Sequence, residues 1–158
     1  MKAIRIFLLS LLVFLLQSTI VQKISVYEII PNLNIIILVL LAIYYDDKTI
    51  ISYALMSGLI QDFYSSPYIG SNIMLYSVIS LLLIRFESVF NKTNIISPVF
   101  LIALGTSLYN IIFFTILKVL NLNFSIYRLF DILIIELSLN VIFGIVLFKL
   151  TQNYLLDR

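Results

Sequence analysis

The sequence contains no cysteine, no histidine and no tryptophan. Without cysteine there is no disulfide, no thiolate nucleophile and no Cys-ligated metal. Without histidine the commonest general base and the commonest metal ligand are missing. Glycine occurs four times and proline three times in 158 residues. The phosphate-cradling glycine loops, G-x-S-x-G and H-E-x-x-H are all absent. Charged residues make up 11% of the chain, against about 25% in an ordinary soluble protein. Any interfacial aromatic belt has to come from the 10 tyrosines. A net charge of +2, spread over ten cations, is not a nucleic-acid footprint.

What fills the space instead is apolar. Hydrophobic residues are 62% of the chain and the mean hydropathy is +1.13. A soluble fold of this length has too little interior to hide that surface. The sequence therefore predicts an all-α integral membrane protein, a six-helix transmembrane bundle forming a single domain over residues 1–158. A crossing helix needs about 20 mostly apolar residues. Spans are expected at 6–21, 31–44, 49–64, 71–84, 95–120 and 129–150. The last two are full length; the second, third and fourth are short enough to imply tilt or partial crossing. A five-span reading, which merges or drops a short segment, is the alternative.

The breaks have local causes. Glu28 and Pro31 interrupt the first pair, with Pro31 expected to open the second helix. Asp46-Asp47-Lys48 makes the second break, and Ser65-Ser66-Pro67 with Gly70 the third. Arg85 to Asn94 and Asn121-Leu122-Asn123 make the last two. Lys2 and Arg5 precede an apolar run, as in a signal peptide. That run ends in Gln17-Ser18-Thr19 with no A-x-A-like site, so an uncleaved first helix is expected. The sequons at Asn91 and Asn123 are chance-level matches.

Six spans place both termini on one side with Lys2, Arg5, Lys48, Arg85, Lys92, Lys149 and Arg158, seven cations against Lys23, Lys118 and Arg128 opposite. The positive-inside rule then makes both termini cytoplasmic. With that orientation the polar residues collect in the outer half. Gln17 and Ser18 end the first span, and Asn32 and Asn34 begin the second. Gln61 and Asp62 end the third; Gly70, Ser71 and Asn72 begin the fourth. Asn110 lies past the middle of the fifth, and Glu136 about 10 Å below the outer end of the sixth.

Helical spacing groups some of them. Glu136, Asn140 and Gly144 form an i+4 stripe, Gly105, Thr106, Tyr109 and Asn110 another, and Gly58 with Asp62 a third. Asn110 and Asn140 are most simply interhelical hydrogen-bond partners. Glu136 has three readings: protonated, paired with Lys118 or Arg128, or lining a cavity. Asp62 is either a solvated cap or a functional group. The two carboxylates suit acid–base work in principle, but nothing in the sequence brings them together. No catalytic residue, metal or cofactor is expected, and the chain is not expected to be an enzyme.

The order of features through the first four spans is more specific. Leu15-Leu16-Gln17-Ser18-Thr19-Ile20 ends the first, PNLNIIILVLLAIYYDD covers residues 31–47, and GLIQDFYSSPYIGSNIMLY covers 58–76. This order resembles MreD, the bacterial rod shape-determining membrane protein family. There a Gln ends the first helix, Pro-x-Leu opens the second, Gly-Leu-x-x-Asp closes the third and a Gly precedes the fourth. Gln17, Pro31, Leu33, Gly58, Leu59, Asp62 and Gly70 match those positions. The motifs cover residues 16 to 76; the last two spans match by hydropathy alone.

The resemblance implies a non-catalytic subunit of the cell-wall elongation machinery in the bacterial cytoplasmic membrane. Its implied partner is an MreC-like protein, with MreB, RodA and a class B penicillin-binding protein reached indirectly. It also implies a helix arrangement similar to the S components of energy-coupling-factor transporters. A vitamin-binding S component, using Asn72, Asn110 and Glu136, is therefore the alternative. Such components dock through small residues spaced A-x-x-x-A on the first helix. Here Ala3 is followed by Phe7 and Leu11, which keep backbones apart.

Overall fold

The computed structural model describes residues 2–65, 69–86, 94–120 and 126–156. Within them lie six α-helices and no β-strand: α1 (Lys2–Thr19), α2 (Leu33–Tyr44), α3 (Asp47–Ser65), α4 (Ser71–Phe86), α5 (Ile96–Val119) and α6 (Ile126–Leu156). Ser66-Pro67, most of the expected break from Arg85 to Asn94, Asn121-Leu122-Asn123 and both sequons fall outside the described residues.

Helix α2 organises the rest. Its sequence is apolar on every side, and such a helix has no solvent face to offer. Ten of its twelve residues are buried, and it touches each of the other five helices. Around it, α1, α3, α4, α5 and α6 form an arc in which neighbours pack pairwise in that order. The ends of the arc, α1 and α6, do not pack along each other. Among the described residues α5 and α6 are the two helices long and apolar enough to cross a membrane, while α1, α2 and α4 are shorter apolar helices.

Several helix boundaries differ from the sequence reading. Pro31 does not open α2; it lies outside the helix, ahead of the N-cap Asn32. The first helix stops at Thr19 rather than residue 21, because the Ser18 and Thr19 hydroxyls both bond back to the Leu15 carbonyl and compete for the helix's own acceptor. A short 3-10 turn, Val21–Ile24, follows. Helix α6 runs beyond 129–150 at both ends, since backbone hydrogen bonding continues past the point where hydropathy stops.

Asp46, expected as part of a break, starts α3. Its carbonyl accepts the Thr49 and Ile50 N–H groups and its Oδ1 accepts the Thr49 hydroxyl at 2.7 Å.

Candidate functional site

A helix start leaves backbone donors without intrahelical partners. At α2 Pro31 supplies no N–H, so the first donors belong to Asn32 and Leu33. Asn140 Oδ1, from α6, accepts the Asn32 N–H at 2.7 Å. Gln17 Oε1, from α1, accepts the Leu33 N–H at 2.9 Å. Both ends of the helical arc thus cap the central helix. The Asn140 amide then donates to Thr106 Oγ1 on α5 at 2.9 Å.

From this cap a buried polar network spreads through all six helices. The Tyr76 hydroxyl lies 3.3 Å from Asn32 Oδ1 and 3.1 Å from Gln61 Oε1. Asn34 donates to Gln61 Oε1 at 2.7 Å and accepts the Tyr53 hydroxyl at 2.9 Å. Tyr109 donates to Asn72 Oδ1 at 2.8 Å and stacks on Tyr76 with ring centroids 5.6 Å apart. Asn110 Nδ2 donates to Glu136 Oε2 at 2.9 Å and to the Thr106 carbonyl at 3.1 Å. Matched amides, hydroxyls and carboxyls in a low dielectric make a stiff assembly.

The corner between α3 and α4 is built on a carboxylate. Asp62 is 2% exposed. Its oxygens accept the backbone N–H groups of Gly70, Asn72 and Ile73 at 2.9, 2.9 and 3.1 Å, together with the Asn72 amide at 2.9 Å. It is an anion set on a helix N-terminus, where the exposed donors and the helix dipole both favour negative charge. Gly70, with φ +99°, supplies the left-handed turn into that cap. Gly58 lets α3 approach α4, because a Cβ there would lie 2.6 Å from Ile73 Cα and 2.7 Å from its nitrogen.

On the open side of the network is a cleft of about 860 Å³. Gln17, Asn32, Gln61, Tyr109 and Glu136 line it from within the bundle, and Tyr127, Arg128 and Asp131 line it from the first turns of α6. The opposite wall is a tight turn. Val26 and Ile29 exchange both backbone hydrogen bonds at 2.9 Å, and the residues between them, Tyr27 and Glu28, have φ of 50° and 67°. Left-handed φ at both central positions is the type I′ hairpin turn, which favours Asn-Gly. Tyr-Glu there carries strain. Tyr27 is 87% exposed at the rim. Among the described residues no group of three or more His, Cys, Asp or Glu is arranged to hold a metal.

The residues singled out in the sequence thus divide into two groups. Gln17, Pro31 and Leu33 shape the start of α2, and Gly58, Asp62 and Gly70 shape the α3–α4 corner. All of these but Gly70 are buried, and Gln17 is the one that reaches the cleft; Leu59, the remaining motif residue, is 43% exposed and belongs to neither group. They frame the cleft rather than form its contact surface. Asn110, Glu136 and Asn140 join the network, and Glu136 meets an amide and a cavity rather than Lys118, whose ammonium sits over the Phe114 ring.

Composition and depth did not single out Tyr53 and Tyr76. As tyrosines they suggested a membrane-interface belt, yet both are fully buried. The available signal was a phenol inside an apolar run, which needs a partner when buried.

The chain matches no curated protein and no solved structure at a significant level. The family model for the rod shape-determining protein MreD matches residues 1–154, which is essentially the whole chain, including the α5–α6 half that hydropathy alone had linked to it. This chain belongs to the MreD family, a family of membrane proteins of bacterial shape determination.

Proposed function

We propose that this protein is a non-catalytic, multi-pass subunit of the rod-shape and cell-wall elongation complex in the bacterial cytoplasmic membrane. Both termini are cytoplasmic, the cleft faces outward, and the cleft end docks an MreC-like membrane partner, which links it indirectly to MreB, RodA and a class B penicillin-binding protein. The observation that carries this reading is the placement of the family's motif residues. They are spent on building one end of the bundle, and that end carries the cleft and the strained Tyr27-Glu28 turn. The buried side chains there are hydrogen-bonded to one another, which favours a rigid platform over a reaction centre.

Two measurements test it. Depletion in a rod-shaped cell rounds or swells it, and full-length protein retains the MreC-like partner through purification; normal shape with no retained partner overturns the proposal. Because the chain has no cysteine, Tyr27→Cys and Tyr45→Cys report topology directly. Both positions are exposed, and labelling of the two from the same side overturns the outward placement of the cleft.

The cleft volume also falls in the range of small-molecule sites, roughly 300–1,000 Å³, which supports a second reading as a vitamin-binding carrier. Saturable vitamin binding by purified protein, lost in Asn72, Asn110 and Glu136 variants, favours that reading over docking.

A further inference from the structure

The cleft is short of positive charge. Among the described residues its lining holds the carboxyl groups of Glu28, Asp131 and Glu136 and one cation, Arg128, which has an interaction of its own. Glu136 is the informative group. It is 7% exposed, lines the cleft, and is hydrogen-bonded by the neutral Asn110 amide at 2.9 Å. That amide carries no charge to balance the carboxylate. Buried carboxylates are paired as a rule, because neutral donors do not replace the hydration lost on burial.

The rest of the lining suits an organic cation better than a bare metal ion. Tyr109 also lines the cleft, but Tyr76 and Phe113 stack on it with centroid distances of 5.6 and 5.8 Å, so the open aromatic faces are those of the rim. Tyr27 and Tyr127 stand at the rim, 87% and 79% exposed. Aromatic faces beside carboxylates attract ammonium and guanidinium groups. Leu12 and Leu15 on α1 and Phe130 and Ile134 on α6 are exposed apolar residues, and α1 and α6 do not pack along each other.

We propose that the cleft receives a lysine or arginine side chain carried at the membrane boundary of the partner's transmembrane segment, with Glu136 as its counter-ion. The segment lies on the α1 and α6 faces, and its basic residue turns inward between the two rim tyrosines. Tyrosines bordering a desolvated charge pair are the arrangement of an interface hot spot. This inference rests on the docking reading above and specifies the chemistry that the partner brings.

The test is retention of the full-length MreC-like partner by wild type, by Glu136→Gln, and by the double variant Glu28→Gln with Asp131→Asn. Loss of a buried charge partner weakens binding by at least about ten-fold. That loss is expected in Glu136→Gln, and a smaller fall in the double variant, whose carboxylates are exposed, with the melting temperature of the partner-free protein unchanged in both. Substituting each partner lysine or arginine at the outer boundary by glutamine identifies one position that reproduces it. If Glu136→Gln fails to fold, the double variant alone decides, since its residues lie at the rim.

Wild type that retains no partner sinks the docking reading itself. Wild type and variants that retain it equally sink the cation inference and leave docking standing. A third outcome also overturns it: spermidine or ethanolamine raises the melting temperature of wild type but not of Glu136→Gln, while partner retention is unchanged. The cleft then takes a free amine.

Discussion

Asn140 on α6 accepts the backbone N–H of Asn32 at 2.7 Å, across 108 residues of sequence, and so caps a helix whose own N-cap side chain makes no capping bond. Asn32 is thereby free to turn its side chain to Tyr76. Removing the remote cap strands a buried donor, which costs about 1–3 kcal/mol. Asn140→Ala is therefore expected to lower the unfolding temperature in detergent, and Gln17→Leu to do the same through Leu33. Because the two caps serve adjacent donors of one turn, their combined effect should depart from the sum of the singles. Strict additivity in a double-mutant cycle would show that the two caps act independently.

Asp62→Asn tests whether charge or shape holds the α3–α4 corner. The amide keeps one acceptor but points N–H donors at the N–H groups that Asp62 now receives. Charge-assisted hydrogen bonds are lost and two donors face each other, at a cost on the order of 3 kcal/mol. The expected result is a large fall in folded protein and in melting temperature. A variant that melts like wild type would mean that the corner is held by packing alone.

The glycines provide a graded comparison. At Gly58 an added methyl meets α4 backbone at 2.6 Å, which nothing but helix separation relieves. At Gly144 it meets the end of the Ile102 side chain, which can rotate away. Gly58→Ala should destabilise by about 3 kcal/mol and Gly144→Ala by about 1 kcal/mol. Chemical or thermal unfolding of both variants ranks them; equal losses would contradict the backbone contact.

The Tyr27-Glu28 turn makes the opposite kind of prediction. Replacing the pair by Asn-Gly relieves left-handed strain of about 1–3 kcal/mol per residue. The folded protein is expected to become more stable. At the same time it loses the rim tyrosine and a cleft carboxylate, so partner retention should fall. Gain in one measurement with loss in the other is the expected pattern; a stabilised variant that retains partner normally would make the turn incidental to docking.

The apolar runs made the six helices legible, and the depth of polar residues showed that Gln17, Asn32, Asn34, Gln61 and Asp62 share one end. Their pairings were another matter. A side chain's partner is readable when it lies three or four residues away on the same helix. Here the partners belong to other helices, and several are backbone groups: Asn140 finds the Asn32 N–H, Gln17 the Leu33 N–H, and Asp62 the first turn of α4. Charge pointed Glu136 towards Lys118 or Arg128, and did not suggest the neutral Asn110 amide that packing brings to it. The cleft walls were hidden for a further reason. Tyr27 and Glu28 adopt backbone angles their residue types disfavour, so local propensity argued against the very turn they form.

The burial of α2 also constrains how the protein is made. At twelve residues it extends roughly 18 Å, well short of a hydrocarbon core of about 30 Å. The acceptor for its first donor lies on α6, which is synthesised more than a hundred residues later. During synthesis α2 therefore emerges before its capping residue exists, and its first turn stays unsatisfied until Asn140 has been made. A chain truncated before Asn140 lacks the piece that closes the structure.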